Sequence, residues 1–262
     1  MNAPTSTVLI TGASGGIGHE LAKLFANDHH GLVLVARSAP RLEQVADELQ
    51  RQFGIEVRAV AMDLTVPNAP QSLFERLQRE GVHVEILINN AGYGKFGDFA
   101  EVPLEESLGQ IQLNLTALTS LTRLFLGPML ERGSGRIMHV ASTAGFQPGP
   151  LMAVYYATKA YVISFSEALA NELADKGIPV TCLCPGATET AFAGRAGNDE
   201  SRLFKKLRPM DAKTVARAGY YGLLKGKTLV IPGVRNWLVA ESVRFAPRKM
   251  VTAISRWVSE KV

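Results

Sequence analysis

The chain has 262 residues, 47% hydrophobic and 20% charged, the balance of an ordinary soluble globular protein long enough to bury a large core. The formal net charge of +4 is mild, and the 28 lysines and arginines are scattered along the chain rather than gathered in a stripe, which argues against a nucleic-acid partner. Met1–Ser6 has no basic stretch leading into an apolar core. The uncharged run from Ile137 to Thr158 is interrupted by Gly145, Pro148, Gly149 and Pro150. Neither segment reads as a signal peptide or a membrane span, so a cytoplasmic location is expected.

Short apolar runs alternate with longer helical patterns. The runs are Thr7–Ile10, Leu32–Val35, Val57–Val60, Glu85–Ile88, Arg136–Val140, Val180–Leu183 and Thr228–Ile231. Helical periodicity covers, among others, Arg41–Phe53, Leu104–Leu130 and Val154–Ala174. Near-continuous apolar strands imply burial on both faces, and the alternation implies parallel strands joined by right-handed crossovers. The expected fold is α/β: one doubly wound parallel sheet of about seven strands, helices on both faces, in a single domain over 1–262. Cys182 falls in the sixth run and Cys184 directly follows it on the same strand. Strand alternation is read as pointing them to opposite faces, which makes them small core residues without a disulfide or shared metal.

The first run leads into Thr11-Gly12-Ala13-Ser14-Gly15-Gly16-Ile17-Gly18 and then a helix. Glycines there allow tight turning and close backbone approach, and a helix N-terminus presents free N–H groups to a pyrophosphate. A plain strand–helix turn needs one glycine rather than four. The spacing Thr-Gly-x-x-x-Gly-x-Gly resembles the short-chain dehydrogenase/reductase family, which implies a Rossmann-type fold and a nicotinamide cofactor.

The second strand ends Ala36-Arg37-Ser38, where an NAD enzyme tends to carry an acid for the ribose 2′-hydroxyl. A guanidinium there suits a 2′-phosphate, so NADP(H) is expected, with Arg41 as assistant or as a solvated helix residue. The resemblance assigns Asp63-Leu64, after the third strand, to the adenine, against a helix-capping reading. It assigns Asn90-Ala91-Gly92, after the fourth, to the adenosine ribose, with stabilisation of the sheet as a second role. Pro185-Gly186, after the sixth strand, with Thr188 and Thr190 beyond, matches the family's turn beside the nicotinamide carboxamide and pyrophosphate.

Tyr155 and Lys159 are four residues apart in a helical pattern and share one face. A nearby ammonium favours the phenolate and an oxidised nicotinamide ring adds further positive charge, so Lys159 with the bound cofactor is expected to lower the Tyr155 pKa and let it act as general acid or base. Tyr156, on another face, is expected to pack or border the site. Ser142 lies thirteen residues before Tyr155 at the end of the fifth strand, placed to polarise a carbonyl and stabilise an oxyanion. Asn114 interrupts the long helix, and the resemblance gives it a water that links Lys159 to solvent.

Substrate walls are expected from 94–99, 143–152 and 187–210, supplying Phe96, Phe146, Leu151, Met152, Phe192, Leu203 and Phe204. They suit a small apolar carbonyl or alcohol. Residues 191–201, with Gly194, Gly197 and Asn198, read as a mobile lid. Within the amphipathic tail 235–262, Met250, Val251, Ile254, Trp257 and Val258 form a stripe flanked by Arg248, Lys249, Arg256 and Lys261. Packing on the body or a second subunit is the favoured reading of that stripe, and peripheral contact with an anionic membrane the other. The resemblance implies a homodimer or homotetramer built through 104–130 and 154–174. An NADP-binding sensor without turnover is the rival function; an isomerase or epimerase relative is disfavoured by chain length.

Overall fold

The computed structural model describes residues 6–202, 205 and 209–260. In chain order the elements begin β1 (Thr7–Thr11), α1 (Gly16–Asn27), β2 (Gly31–Ala36), α2 (Ala39–Phe53), β3 (Val57–Ala61), α3 (Ala69–Arg79) and β4 (Val84–Asn89). They continue with α4 (Leu104–Ile111), a π-turn (Gln112–Ala117), α5 (Leu118–Arg132), β5 (Arg136–Val140), α6 (Ala153–Glu172), β6 (Val180–Leu183) and the short β7 (Thr188–Glu189). The last are α7 (Phe192–Ala196), β8 (Met210–Asp211), α8 (Ala212–Leu224), β9 (Leu229–Val230), α9 (Val234–Ser242) and α10 (Arg248–Ser259).

Seven strands form one parallel sheet in the order β3-β2-β1-β4-β5-β6-β9, and β7 pairs with β8 apart from it. The sequence places these strands to within a residue or two, with the seventh reduced to Leu229–Val230.

Alternate residues of each strand are apolar towards both faces. Val8, Ile10, Leu32, Leu34, Ile86 and Ile88 pack with Leu21, Phe25, Leu42 and Leu49 of α1 and α2 and with Val215 and Leu223 of α8. Leu9, Val33, Val35 and Leu87 pack on the other face with Leu73, Leu121, Phe125 and Met129. Strands are added outward in one direction from β1 to β3 and in the other from β4 onward, and an open parallel sheet binds ligands in the crevice beyond the strand ends at such a switch point.

The helix expected over Leu104–Leu130 is one rod carrying the π-turn at 112–117, which contains Asn114. Such inserted turns cluster at functional sites.

The cysteine expectation is overturned. Residues two apart on an extended chain share a face, and Cys182 Sγ lies 3.7 Å from Cys184 Sγ. Both are free and buried against Leu118, Val162 and Ile163, so their reading as core residues stands.

His139 of β5 is wholly buried, its ring nitrogens 3.0 Å from Thr122 Oγ1 and 2.8 Å from Ser166 Oγ. Burial pushes its pKa down to about 3. The unfolded chain therefore takes up a proton near pH 6.5 that the folded chain refuses, and stability falls as pH drops from 6.5 towards 3. Between pH 6 and 4.5 this amounts to about 2 kcal/mol. Urea unfolding of the wild type should show this slope on top of the carboxylate background, and His139→Gln should show it flattened. Parallel slopes would contradict the account.

Candidate active site

The C-terminal ends of β1, β4, β5 and β6 bring the chemistry-bearing residues together. Thr11 closes β1, and its Oγ1 accepts from the backbone N–H groups of Asn90 (3.0 Å) and Ala91 (2.9 Å). Asn90 Nδ2 donates back to Thr11 O (2.9 Å) and Gly12 O (3.2 Å). The Asn90 side chain thus ties the two loops at the switch point, the sheet-stabilising role read beside its ribose role.

The glycines of the first loop differ in what demands them. Gly12 has φ +67°, and a Cβ there would meet Asn90 Nδ2 at 2.8 Å. A Cβ on Gly18 would meet Asn90 Nδ2 and Gly12 O at 2.5 Å. Gly16 lies under the Thr190 methyl, which a Cβ would approach to 3.0 Å. Gly15 has no protein neighbour within 4 Å of such a Cβ, so it borders open space at the N-terminus of α1. No side chain caps α1. Its first N–H groups therefore face that space beside Ser14 and Ile17, an anion cradle that a Cβ at Gly15 would enter.

Arg37, at the end of β2, is exposed and has no ion-pair partner among the described residues. Arg41 Nε donates to Ser14 O (3.3 Å), which sets a second guanidinium against the glycine loop. Asp63 Oδ1 accepts from Thr65 N (2.9 Å) and Thr65 Oγ1 (2.7 Å). Burial pushes its carboxyl up, but these bonds and the nearby Arg37 outweigh it and hold the pKa below the usual value. Asp63 thus closes a turn of its own, and the residue preceding α3 is Asn68. The Leu64 side chain is buried in the core, which leaves only its backbone to face a ligand.

Lys159 is buried, and Nζ donates to Val140 O at 2.8 Å. Among the described residues no carboxylate pairs with it, so two of its three donors are free for a ligand. Burial lowers its pKa to about 8. A Cβ on Gly92 would meet Asn114 Oδ1 at 3.1 Å and Lys159 Nζ at 3.4 Å, so the glycine opens the approach to the ammonium. Asn114 Nδ2 donates to Tyr93 O (2.9 Å) and Thr158 Oγ1 (3.0 Å), and Oδ1 accepts from Tyr93 N (3.1 Å). Its amide therefore clamps the β4 loop against α6.

Tyr155 lies one turn before Lys159, with Nζ 5.7 Å from its ring centre. Burial raises its pKa, a rise that Ser142, within hydrogen-bonding reach, opposes and Tyr156 assists. In the protein alone the shift is set by desolvation of the phenolate, and the lowering expected from Lys159 does not appear. Ser142 donates to Pro185 O (3.3 Å) and accepts from Ala144 N (3.1 Å), which fixes its hydroxyl between β5 and the turn after β6.

A Cβ on Gly186 would collide with the Asn236 amide of α9 at 2.7 Å. Thr188 Oγ1 donates to Gly186 O (2.9 Å), and Thr190 Oγ1 accepts from Phe192 N (3.2 Å).

The Tyr155 side chain packs with Met152, Ala144 and Ala196, with Phe96 and Phe192 against them; the Phe192 ring lies 5.2 Å from that of Tyr155. Residues 191–201 form α7 and its exit, held down by Phe96 N donating to Ala196 O (2.8 Å) and by Asn198 Nδ2 on Met152 Sδ (3.3 Å). The segment expected as a mobile lid is thus folded closed over the site. Phe146 belongs to the neighbouring core instead. Leu151 carries a φ of +67°, a strained conformation of the kind that collects at binding sites. Leu203 and Phe204 lie outside the described residues. Tyr156 is buried, with Ser255 and Ser259 of α10 beside its hydroxyl, an intramolecular contact that spacing along the sequence could not reveal. A depression of about 580 Å³ between α3 and α5, lined by Phe74, Arg79 and Glu131, is remote from all of this, at the other end of the sheet.

Residues 6–201 match the family model described as short chain dehydrogenase. The ketoacyl reductase HetN of Nostoc sp. is 38% identical over 182 residues, 69% of this chain and 62% of that protein. The very-long-chain 3-oxoacyl-CoA reductase of Anas platyrhynchos is 36% identical over 183 residues, 68% of this chain and 58% of its own length. The chain thus spans about three fifths of these relatives. A short-chain dehydrogenase from Sphingobium yanoikuyae in complex with NADPH is 37% identical with a TM-score of 0.83, covering 92% of this chain and 94% of that one. The bulky-bulky ketone specific alcohol dehydrogenase from Comamonas testosteroni is 31% identical with a TM-score of 0.79, covering 93% of each. With the family model matched over three quarters of its length, the chain belongs to the short-chain dehydrogenase/reductase family.

Proposed function

We propose that the protein is an NADPH-dependent oxidoreductase that interconverts an apolar ketone and its secondary alcohol. The observation that carries this reading is the grouping of Ser142, Tyr155 and Lys159 at the strand ends, beside a glycine loop whose helix N-terminus is uncapped. When bound, the nicotinamide would donate or accept the hydride.

The α1 N-terminus with Ser14, Gly15, Gly16 and Ile17 would hold the pyrophosphate, with Thr188 and Thr190 from the opposite side. Arg37, assisted by Arg41, would hold the 2′-phosphate, since β2 ends without an acid. Asp63 would take the adenine through its remaining oxygen and Leu64 through its backbone. Asn90, Ala91 and Gly92 would border the ribose of the adenosine, with Pro185 and Gly186 beside the carboxamide. The two free donors of Lys159 suit the hydroxyls of the other ribose.

Tyr155 is the proton donor to the oxygen of the reduced carbonyl. Its raised pKa keeps the phenol protonated, the form that reduction needs. Ser142 holds that same oxygen and stabilises its developing negative charge. Lys159, as an ammonium, favours proton departure from Tyr155. Because the Asn114 side-chain amide is committed to Tyr93 and Thr158, a water linking Lys159 to solvent would be held by the main-chain carbonyl of Asn114 in the π-turn.

Phe96, Met152 and Phe192 make the substrate side apolar. The ketoacyl, oxoacyl-CoA and bulky-ketone names among the relatives point to the same substrate chemistry. An intact Ser142, Tyr155 and Lys159 argues against a sensor without turnover. The exposed stripe Leu104, Leu108 and Ile111 on α4, with Tyr161 of α6, supports a homo-oligomer through these helices. Two free buried cysteines suit a cytoplasmic setting.

Absorbance at 340 nm with NADPH and a panel of apolar ketones and ketoacyl thioesters tests the activity. Tyr155→Phe should cut turnover about 10²–10⁴-fold while NADPH still binds. No turnover by the wild type with NADPH tightly bound would favour the sensor. Arg37→Ala should weaken NADPH about 10–100-fold and leave NADH nearly unchanged. An equal loss for both cofactors would remove Arg37 from the 2′-phosphate.

A further inference from the structure

The two C-terminal helices expose more apolar surface than their own packing explains. On α10 the expected stripe divides. Val251, Ser255 and Ser259 face inward and are buried, with the last two beside Tyr156. Met250, Ile254 and Trp257 face outward and are about half exposed. On α9, Val234, Trp237, Leu238 and Val239 are likewise outward, and Phe245 between the helices is 88% exposed.

The outward face of α10 belongs to a firmly held helix, not a frayed end. Arg202 beside the lid segment donates from Nη1 to Trp257 O (2.8 Å) and Glu260 Oε2 (2.9 Å), and its guanidinium lies 5.1 Å from the Trp257 ring centre.

Three features of this face point to one kind of partner. Both tryptophans of the chain are here, half exposed, and tryptophan is the side chain that settles at the boundary between hydrocarbon and headgroups. The segment 234–260 holds five cations (Arg235, Arg244, Arg248, Lys249, Arg256) against two anions (Glu241, Glu260). Glu241 pairs with Arg244, and Glu260 with Arg202 and Arg256. Among the described residues Arg235, Arg248 and Lys249 have no ion-pair partner, and all three are exposed. At 100° per residue, Met250, Ile254 and Trp257 fall within an arc of about 60° on α10, with Lys249 and Arg256 on the adjoining polar arc. A second copy meeting this face across a two-fold axis would set its unpaired cations against their equivalents. An anionic lipid surface complements the charge and the apolar side chains together.

We propose that the face formed by the outward side chains of α9 and α10 docks the protein on an anionic membrane surface. The helices lie on the interface: among the described residues no helix is long and apolar enough to cross a bilayer. The inference stands independently of the proposed reaction, since it uses none of the residues given to the chemistry.

Sedimentation with vesicles of phosphatidylcholine alone, or with phosphatidylserine added, tests it at low salt. Tryptophan emission is read in parallel, because both fluorophores sit on the face. The intact protein should pellet with the anionic vesicles, shift its emission to the blue, and release as salt rises. Arg235→Glu/Lys249→Glu should weaken binding at least about 30-fold, from roughly 1 kcal/mol per cation. Met250→Ser/Ile254→Ser should abolish the blue shift while the far-ultraviolet circular dichroism is kept. The proposal is overturned by absence of binding to anionic vesicles, by equal binding to neutral ones, or by binding that neither variant alters. A blue shift that grows with protein concentration in the absence of lipid would assign the face to a second copy instead.

Discussion

A lysine ammonium held inside the protein is the constraint around which the site is arranged. Burying a charge without a carboxylate is costly, and Lys159 has one backbone acceptor, Val140 O, to offset the loss of water. Every neighbour answers to that position. Gly92 has no side chain to block it, Asn114 clamps the adjoining loop, and Tyr155 stands one turn away on the same helix. The depressed pKa of Lys159 and the raised pKa of Tyr155 have the same origin, desolvation of a charged form. The resting pair is thus poised with a phenol that keeps its proton and an ammonium close to losing one.

The sheet brings these residues together. Crossovers put β1 beside β4 at the switch point, and the bonds among Thr11, Asn90 and Ala91 knit the two loops into one rim. The same rim orients the start of α1, with Thr190 pressed on Gly16 from the far side. The cofactor cradle is thereby tied to the loop after β4, and Asn114 ties that loop in turn to Thr158 on the helix that carries Tyr155.

Much of this was legible in the sequence because the physics is local. Largely apolar runs of four or five residues place the strands, since burial on both faces requires such composition. The glycine spacing and the i, i+4 relation of Tyr155 and Lys159 follow from helix and turn geometry. Contacts that depend on tertiary approach were not legible. The π-turn around Asn114 has no sequence mark beyond a mediocre helix former, and the position of Tyr156 beside Ser255 and Ser259 joins segments about a hundred residues apart. In the protein without cofactor, burial sets the Tyr155 pKa, and sequence spacing reports the nearby charge but not the depth of burial. The shared face of Cys182 and Cys184 does follow from strand alternation, and the opposite expectation misapplied that rule.

The depressed pKa of Lys159 is the most direct test of this account. Isotope-labelled lysine side chains, titrated by NMR in the protein without added cofactor and assigned with Lys159→Met, would read it. One lysine titrating near pH 8, well below the ordinary 10.5, and missing from the variant is the expected result. If every lysine titrated near 10.5, the ammonium would not be desolvated, and the arrangement of Gly92, Asn114 and Tyr155 around it would need another explanation.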